Sequence, residues 1–255
     1  MSDLVRVTRS DGVLTLTLDR PEKKNALTDA MYRVLADQLE AGDADSEVRV
    51  VLIRSEGDLF TAGNDLSEFA QAAVNDAELT NVGRFIGALA SARKPIIAAV
   101  QGRAVGIGTT LLLHCDYVIL AEDAWLSTPF VGLGLVPEAA STLLMPARIG
   151  HARAFMMFAL GDPVSAATAL EWGLANQVVA QAELDGAAAA VAGRLAGQPL
   201  GALIATKGLM RDAAGIQEQV RIEGEAFAAR LNSPEAQEAF LAFAQRRAPD
   251  FRQFA

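Results

Sequence analysis

The chain has 255 residues, of which 51% are hydrophobic and only 6% aromatic, so one large α/β core is within reach and Ala, Val and Leu must build most of it. A net charge of −9 argues against a general nucleic-acid binder, which needs clustered Lys and Arg, although a few local cations or backbone N–H groups still suffice for a small polyanion. The single cysteine, Cys115, excludes an intrachain disulfide framework and a multi-cysteine zinc cage.

In chain order, Met1 to Arg9 carries no apolar or Arg-rich leader pattern. Leu14-Thr15-Leu16-Thr17-Leu18 alternates apolar and polar, which predicts a strand with one buried face ending at Asp19-Arg20-Pro21. Thr28 is placed to cap a helix that carries Met31, Leu35 and Leu39 on one face, with Gly42 as its stop. Val50 to Ile53, Ile96 to Val100 and Tyr117 to Leu120 are short continuous apolar runs, as expected of strands covered on both faces. Between the last two, a glycine-rich turn leads into an apolar helix over roughly 107–114, a βαβ pattern that favours an α/β fold. From about Ser165 the pattern is helical throughout: Ser165 to Glu171 closing at Gly173, Glu183 to Leu195 closing at Gly197, a helix opened by Pro199, and one capped by Ser233-Pro234-Glu235. Phe240, Leu241 and Phe243 give that last helix more apolar bulk than a lone surface helix needs, so it must pack on its own domain or on a neighbouring subunit. The most apolar stretch, Leu111 to Ala121, is interrupted by His114 and Asp116 and is too short to cross a bilayer; the C-terminal Arg252-Gln253-Phe254-Ala255 is not a Ser-Lys-Leu type address. A cytoplasmic protein with no membrane or nucleic-acid partner is expected.

Several chemistries fall away. The sequence has no Gly-x-Ser-x-Gly elbow, no phosphate loop and no complete dinucleotide fingerprint, since Leu111 stands where the third glycine belongs. His114 and Cys115 are neighbours on a helix and point apart, so they read as core residues rather than as a catalytic pair, and no metal site is expected. Three segments remain: Thr61-Ala62-Gly63-Asn64-Asp65-Leu66, Gly102 to Gly108, and Thr128 to Ser141 with Glu138 just after Pro137. Each of the first two follows an apolar strand and bends through glycine, a geometry that exposes backbone N–H groups to an anion, and equally the geometry of an ordinary turn. Glu138 is likewise either a catalytic acid or a plain first-turn acid favoured by a helix dipole.

Together and in this order, these segments resemble the enoyl-CoA hydratase/isomerase (crotonase) superfamily. The resemblance extends from Leu14-Thr15-Leu16-Thr17-Leu18-Asp19-Arg20-Pro21 through Lys94-Pro95-Ile96-Ile97-Ala98-Ala99-Val100-Gln101-Gly102 to Gly173-Leu174-Ala175. It implies a spiral of ββα units over residues 1–195, followed by a helical region over 196–255 that builds trimers, often paired into hexamers. It also implies an acyl-CoA thioester as substrate, with no separate cofactor, its carbonyl held between the N–H groups of Asn64 and Ile107. The carrier would be bound by Lys24, Ala26 and Leu27 and by Ala62, Asp65 and Leu66. The hydratases carry two glutamates at positions that correspond to Thr110 and Phe130, which puts hydration in doubt. Leu133-Gly134-Leu135-Val136-Pro137-Glu138 and Gly63-Asn64-Asp65-Leu66 instead resemble the peroxisomal-type Δ3,Δ2-enoyl-CoA isomerases, which implies that Glu138 is the catalytic acid–base. Phe130 and Trp125 are candidates to line the acyl pocket, Trp125 being equally a core residue, and Lys24 and Arg246-Arg247 are candidate partners of the CoA phosphates, each equally a solvated surface cation. Other crotonase reactions (hydration, thioester hydrolysis, decarboxylation) and a non-catalytic acyl-CoA binder are the competing readings.

Overall fold

A computed structural model describes residues 4–68 and 80–254. Strands β1 (Val5–Ser10) and β2 (Val13–Leu18) pair as an antiparallel hairpin. β3 (Val50–Ser55), β4 (Ile96–Val100), β6 (Tyr117–Ala121) and β9 (Gln177–Val179) then add in parallel, giving one sheet in the order β1-β2-β3-β4-β6-β9. A small second sheet joins β5 (Arg103–Val105), β7 (Trp125–Ser127) and β8 (Val164–Ser165). The uninterrupted apolar runs have the meaning their sequence implies. Val51, Ile53, Ile96, Ala98 and Val100 enter the main core, while Val50, Leu52, Ile97 and Ala99 enter a second core under helix α7 (Leu184–Ala196).

The other helices are α1 (Asp29–Ala44), α2 (Thr80–Ser91), α3 (Ile107–Thr110), α4 (Ser141–Ile149), α5 (His151–Leu160), α6 (Ala166–Glu171), α8 (Leu200–Met210), α9 (Ala213–Leu231) and α10 (Pro234–Ala244). Thr28 caps α1 as expected, its hydroxyl accepting the Met31 N–H at 3.3 Å. Gly42, however, does not stop the helix, which runs through it to Ala44. A side chain at Gly42 would meet Leu14 Cδ2 at 2.7 Å, so this glycine lets α1 press against β2. The expected helix over 107–114 is α3 continued by a tighter 3-10 turn at Leu111–His114, all of it buried. The reading of residues beyond Ser165 as helical throughout needs correction, because Gln177–Val179 closes the edge of the main sheet beside β6. Three residues are too few for period to separate strand from helix.

Helix α9 packs on α2 and α4, and α10 packs on the turn at Val131–Leu133. Among the described residues, no single helix is long and apolar enough to cross a membrane.

Candidate active site

Two turns are pressed together at one end of the molecule. The segment 61–65 runs between the chain at Leu27 and strand β5, bridging in parallel to both, with Leu27 opposite Asn64 and Thr61 opposite Ala104. Leu27 N–H donates to Gly63 O at 2.8 Å and Asp65 N–H donates to Leu27 O at 2.9 Å. Gly63 and Asp65 thus pair with Leu27, and the Asn64 N–H between them faces away from it. Gly63 makes the approach of the two turns possible. It sits at φ +88°, and a Cβ there would lie 2.8 Å from Val105 O. Ile107 is the first residue of α3, so its N–H has no partner within the helix. Among the described residues, neither the Asn64 nor the Ile107 N–H has a protein acceptor, and both residues line the same cleft.

That cleft has a volume of about 710 Å³, a size suited to a small-molecule ligand. Phe130, Leu133 and Leu135 supply an apolar wall, joined by Phe227 of α9 and by Phe240 and Phe243 of α10. Arg20, Lys23 and Lys24 stand at its cationic side. Lys24 and Asn25 adopt left-handed backbone, at φ 54° and 50°. The buried Asn25 side chain holds this turn by donating to Glu56 O at 2.8 Å and Leu59 O at 3.0 Å, which leaves the lysines to project.

Glu138 is buried, not solvated. The Thr110 hydroxyl donates to its Oε1 at 2.6 Å. Burial pushes its carboxyl up to about 8, the Thr110 hydrogen bond opposes that rise, and the nearby charge of Glu223 adds to it. On the far side of α1, the hydroxyl of Tyr32 donates to the Asn64 side-chain oxygen. Burial raises the Tyr32 hydroxyl well above its ordinary value, followed by the charges of Glu138 and Glu68, so Tyr32 stands near both Glu138 and the Asn64 turn.

Of the residues expected from sequence, Asn64, Ile107, Lys24, Ala26, Ala62, Asp65, Leu66 and Phe130 lie together on this cleft. Leu27 is fully buried behind it, supporting the Asn64 turn through its main chain. Glu138 is buried and turned toward Thr110, and is not among the residues that line the cleft. Two expectations fail. Trp125 is 45% exposed on the small sheet and does not reach the cleft, because alternation along β7 turns Leu126 inward instead. Arg247 is held by Glu238 at 2.9 Å, and neither it nor Arg246 lines the cleft. His114 and Cys115 are buried as read, with burial depressing the imidazole to about 3 and raising the thiol to about 12.

Sequence reading missed Arg20, Tyr32 and Phe227. Arg20 is the residue before Pro21, where it read only as a strand end. Its guanidinium bonds Ala26 O and Asp65, each at 2.8 Å, tying the two carrier-side segments together. Tyr32 follows Met31 on α1, and its position in the pattern gives no sign of a partner in another turn.

The family described as enoyl-CoA hydratase/isomerase matches residues 8–254. The chain is 36% identical over 248 residues to the 1,2-epoxyphenylacetyl-CoA isomerase of Escherichia coli (strain K12), covering 94% of this chain and 95% of that one. It is 33% identical over 258 residues to the 2,3-dehydroadipyl-CoA hydratase of the same organism, covering 99% of each. Among solved structures, an enoyl-CoA hydratase/isomerase from Pseudoalteromonas atlantica T6c superposes with a TM-score of 0.92 at 39% identity, covering 98% of this chain and 100% of that one.

Proposed function

The chain belongs to the enoyl-CoA hydratase/isomerase family and has its crotonase fold, and on that premise we propose that it moves the double bond of a 3-enoyl-CoA to the 2-trans position, with Glu138 carrying the proton. The observation that supports this choice within the family is the buried Glu138 carboxyl, held by the hydroxyl of Thr110, the residue that the resemblance places where a hydratase carries its first glutamate. Phe130 occupies the second glutamate's position and cannot exchange a proton. Water addition needs a water held and activated by two acids, and a double-bond shift needs only one.

The chemistry balances on that one group. Ionised Glu138 takes a proton from C2, the electron pair spreads through the thioester carbonyl and the C3–C4 double bond, and the same carboxyl returns the proton to C4. Oxidation state and atom count are unchanged, so no electron carrier or water is consumed. The thioester oxygen bears the negative charge of the dienolate, and the Asn64 and Ile107 N–H groups stabilise it there. One such donor contributes about 3–4 kcal/mol where it has been removed from other enzymes. The aromatic wall of Phe130, Phe227 and Phe240 shields the dienolate from bulk water, and Lys23, Lys24 and Arg20 meet the carrier phosphates.

The same reading includes a cytoplasmic homotrimer or hexamer. The exposure of Leu209 and Met210 on α8 supports an assembly. The substrate pair tests the reaction. Offered a 3-enoyl-CoA, the enzyme is expected to generate the absorbance of a conjugated thioester; offered a 2-trans-enoyl-CoA, it is expected not to bleach that absorbance by hydration. Rapid bleaching of the 2-enoyl substrate with no conjugation of the 3-enoyl one would make it a hydratase.

A further inference from the structure

We propose that Glu223, on helix α9, is the positioning residue that holds the Glu138 turn in its working conformation. The inference rests on the reading of Glu138 as the base. Between Glu138 and α4 the chain passes through two consecutive alanines in left-handed backbone, Ala139 at φ 62° and Ala140 at φ 54°. A residue with a Cβ leaves that region unless its surroundings hold it there. The next residues begin α4, whose cap position is Ala140, a side chain with no oxygen to offer the free N–H groups of the first turn.

Glu223 supplies what Ala140 lacks, from 81 residues away in sequence. Its Oε1 accepts the Thr142 N–H at 2.8 Å and the Thr142 hydroxyl. Gln219, one turn earlier on α9, donates to the Thr142 hydroxyl at 2.8 Å. Ile216 of α9 packs on Ala140 itself. The turn is gripped from the other side by His114. Arg211 can only donate, so its 2.6 Å contact makes Nδ1 the acceptor, leaving the Nε2 proton to donate to Ala139 O at 2.7 Å. The segment after Glu138 is therefore held at Ala139 by the Arg211–His114 pair and at Thr142 by Glu223, and both Arg211 and Glu223 lie in the C-terminal helical region.

An ordinary helix cap would also be buried and hydrogen-bonded, but two features go beyond that role. Glu223 is 4% exposed and, among the described residues, its Oε2 has no hydrogen-bond partner; burial raises its carboxyl, so its ionised form puts a charge in a buried place where a neutral acceptor would cap as well. That charge acts on Glu138. The groups facing Glu138 are the hydroxyl of Thr110 from α3, the hydroxyl of Tyr32 from α1 and the carboxylate of Glu223 from α9.

The test compares Glu223→Ala, Glu223→Gln and Glu138→Gln in the full-length enzyme. It measures kcat and KM for a 3-enoyl-CoA across pH, and the affinity for a saturated acyl-CoA. Glu223→Ala is expected to lose about 10²-fold in kcat, the scale of an ångström of misplacement, with KM and acyl-CoA affinity near wild type. Glu223→Gln, which keeps an oxygen on the Thr142 N–H, is expected to recover most of that loss, and its acid limb is expected at lower pH because the charge opposing ionisation of Glu138 is gone. Wild-type kcat in Glu223→Ala, or a loss confined to KM, would overturn the proposal. Should Glu223→Ala fail to fold, Glu223→Gln decides alone, and an unmoved acid limb overturns the proposal. Wild-type turnover in Glu138→Gln would remove the base and this inference together, whereas an inactive Glu138→Gln beside an unaffected Glu223→Ala would remove only this inference.

Discussion

Glu138→Gln is expected to turn over a 3-enoyl-CoA about 10²–10⁴-fold more slowly than wild type, the usual contribution of a positioned acid–base group, while binding a saturated acyl-CoA almost as tightly. Gln matches the shape of Glu and still accepts from the Thr110 hydroxyl, but it cannot take up the C2 proton. Affinity is retained because the carrier and chain are held by the residues that line the cleft, which the substitution leaves unchanged. The pH dependence provides a second readout. Burial holds the carboxyl up to about 8, so the ionised, proton-accepting form grows as pH rises through that value. The kcat/KM of the wild type is therefore expected to climb through neutral pH and level off above about 8, and the residual activity of the variant is expected to lack that limb. A wild-type profile already flat from pH 5 upward, or a variant with near-normal turnover, would place the base elsewhere. The raised proton affinity also strengthens the base once it is ionised, which is how a carboxylate removes a proton next to a thioester at near-neutral pH.

Gly63→Ala carries the second large effect. At φ +88° an alanine is strained, and its Cβ would lie 2.8 Å from the Val105 carbonyl. That oxygen belongs to main chain and cannot swing aside as a side chain would, so the two turns must separate. The Asn64 N–H moves with them. Loss of one oxyanion donor costs about 10²–10³-fold in kcat in other enzymes, and the same drop is expected here. Asn64→Ala is the informative comparison. It removes the side chain that Tyr32 anchors but leaves the main-chain N–H in place, so it is expected to lose less than Gly63→Ala. A Gly63→Ala enzyme that folds and keeps wild-type kcat would show that this turn does not touch the reacting oxygen.

The parts of this molecule legible from sequence are those whose signal is local or carried by several ordered motifs. Continuous apolar runs at Val50, Ile96 and Tyr117 marked strands because a short run between two packed layers hides adjacent side chains on both faces. The glycine turns at Gly63 and Gly106 marked the cleft because both need left-handed backbone, and at Gly63 the close approach of Val105 O also excludes a Cβ. What escaped depends on partners distant in the chain. Tyr32 matters through Asn64, and Glu223 through Thr142, 81 residues away. Strands of two or three residues, such as β8 and β9, are shorter than any period that could identify them. Trp125 and Arg247 were assigned by residue type alone, and type does not fix direction. β7 aims Trp125 outward, and Glu238 claims Arg247.

The central claim is that one enclosed carboxyl carries a proton from C2 to C4 of the same substrate. The direct measurement uses a 3-enoyl-CoA with deuterium at C2, converted in ordinary water, with the product analysed by mass spectrometry and NMR. Deuterium recovered at C4 of the 2-trans-enoyl product is the predicted result, because a buried acid returns its proton faster than it exchanges with solvent. Product that carries only solvent hydrogen at C4, or that carries solvent oxygen at C3, would contradict it.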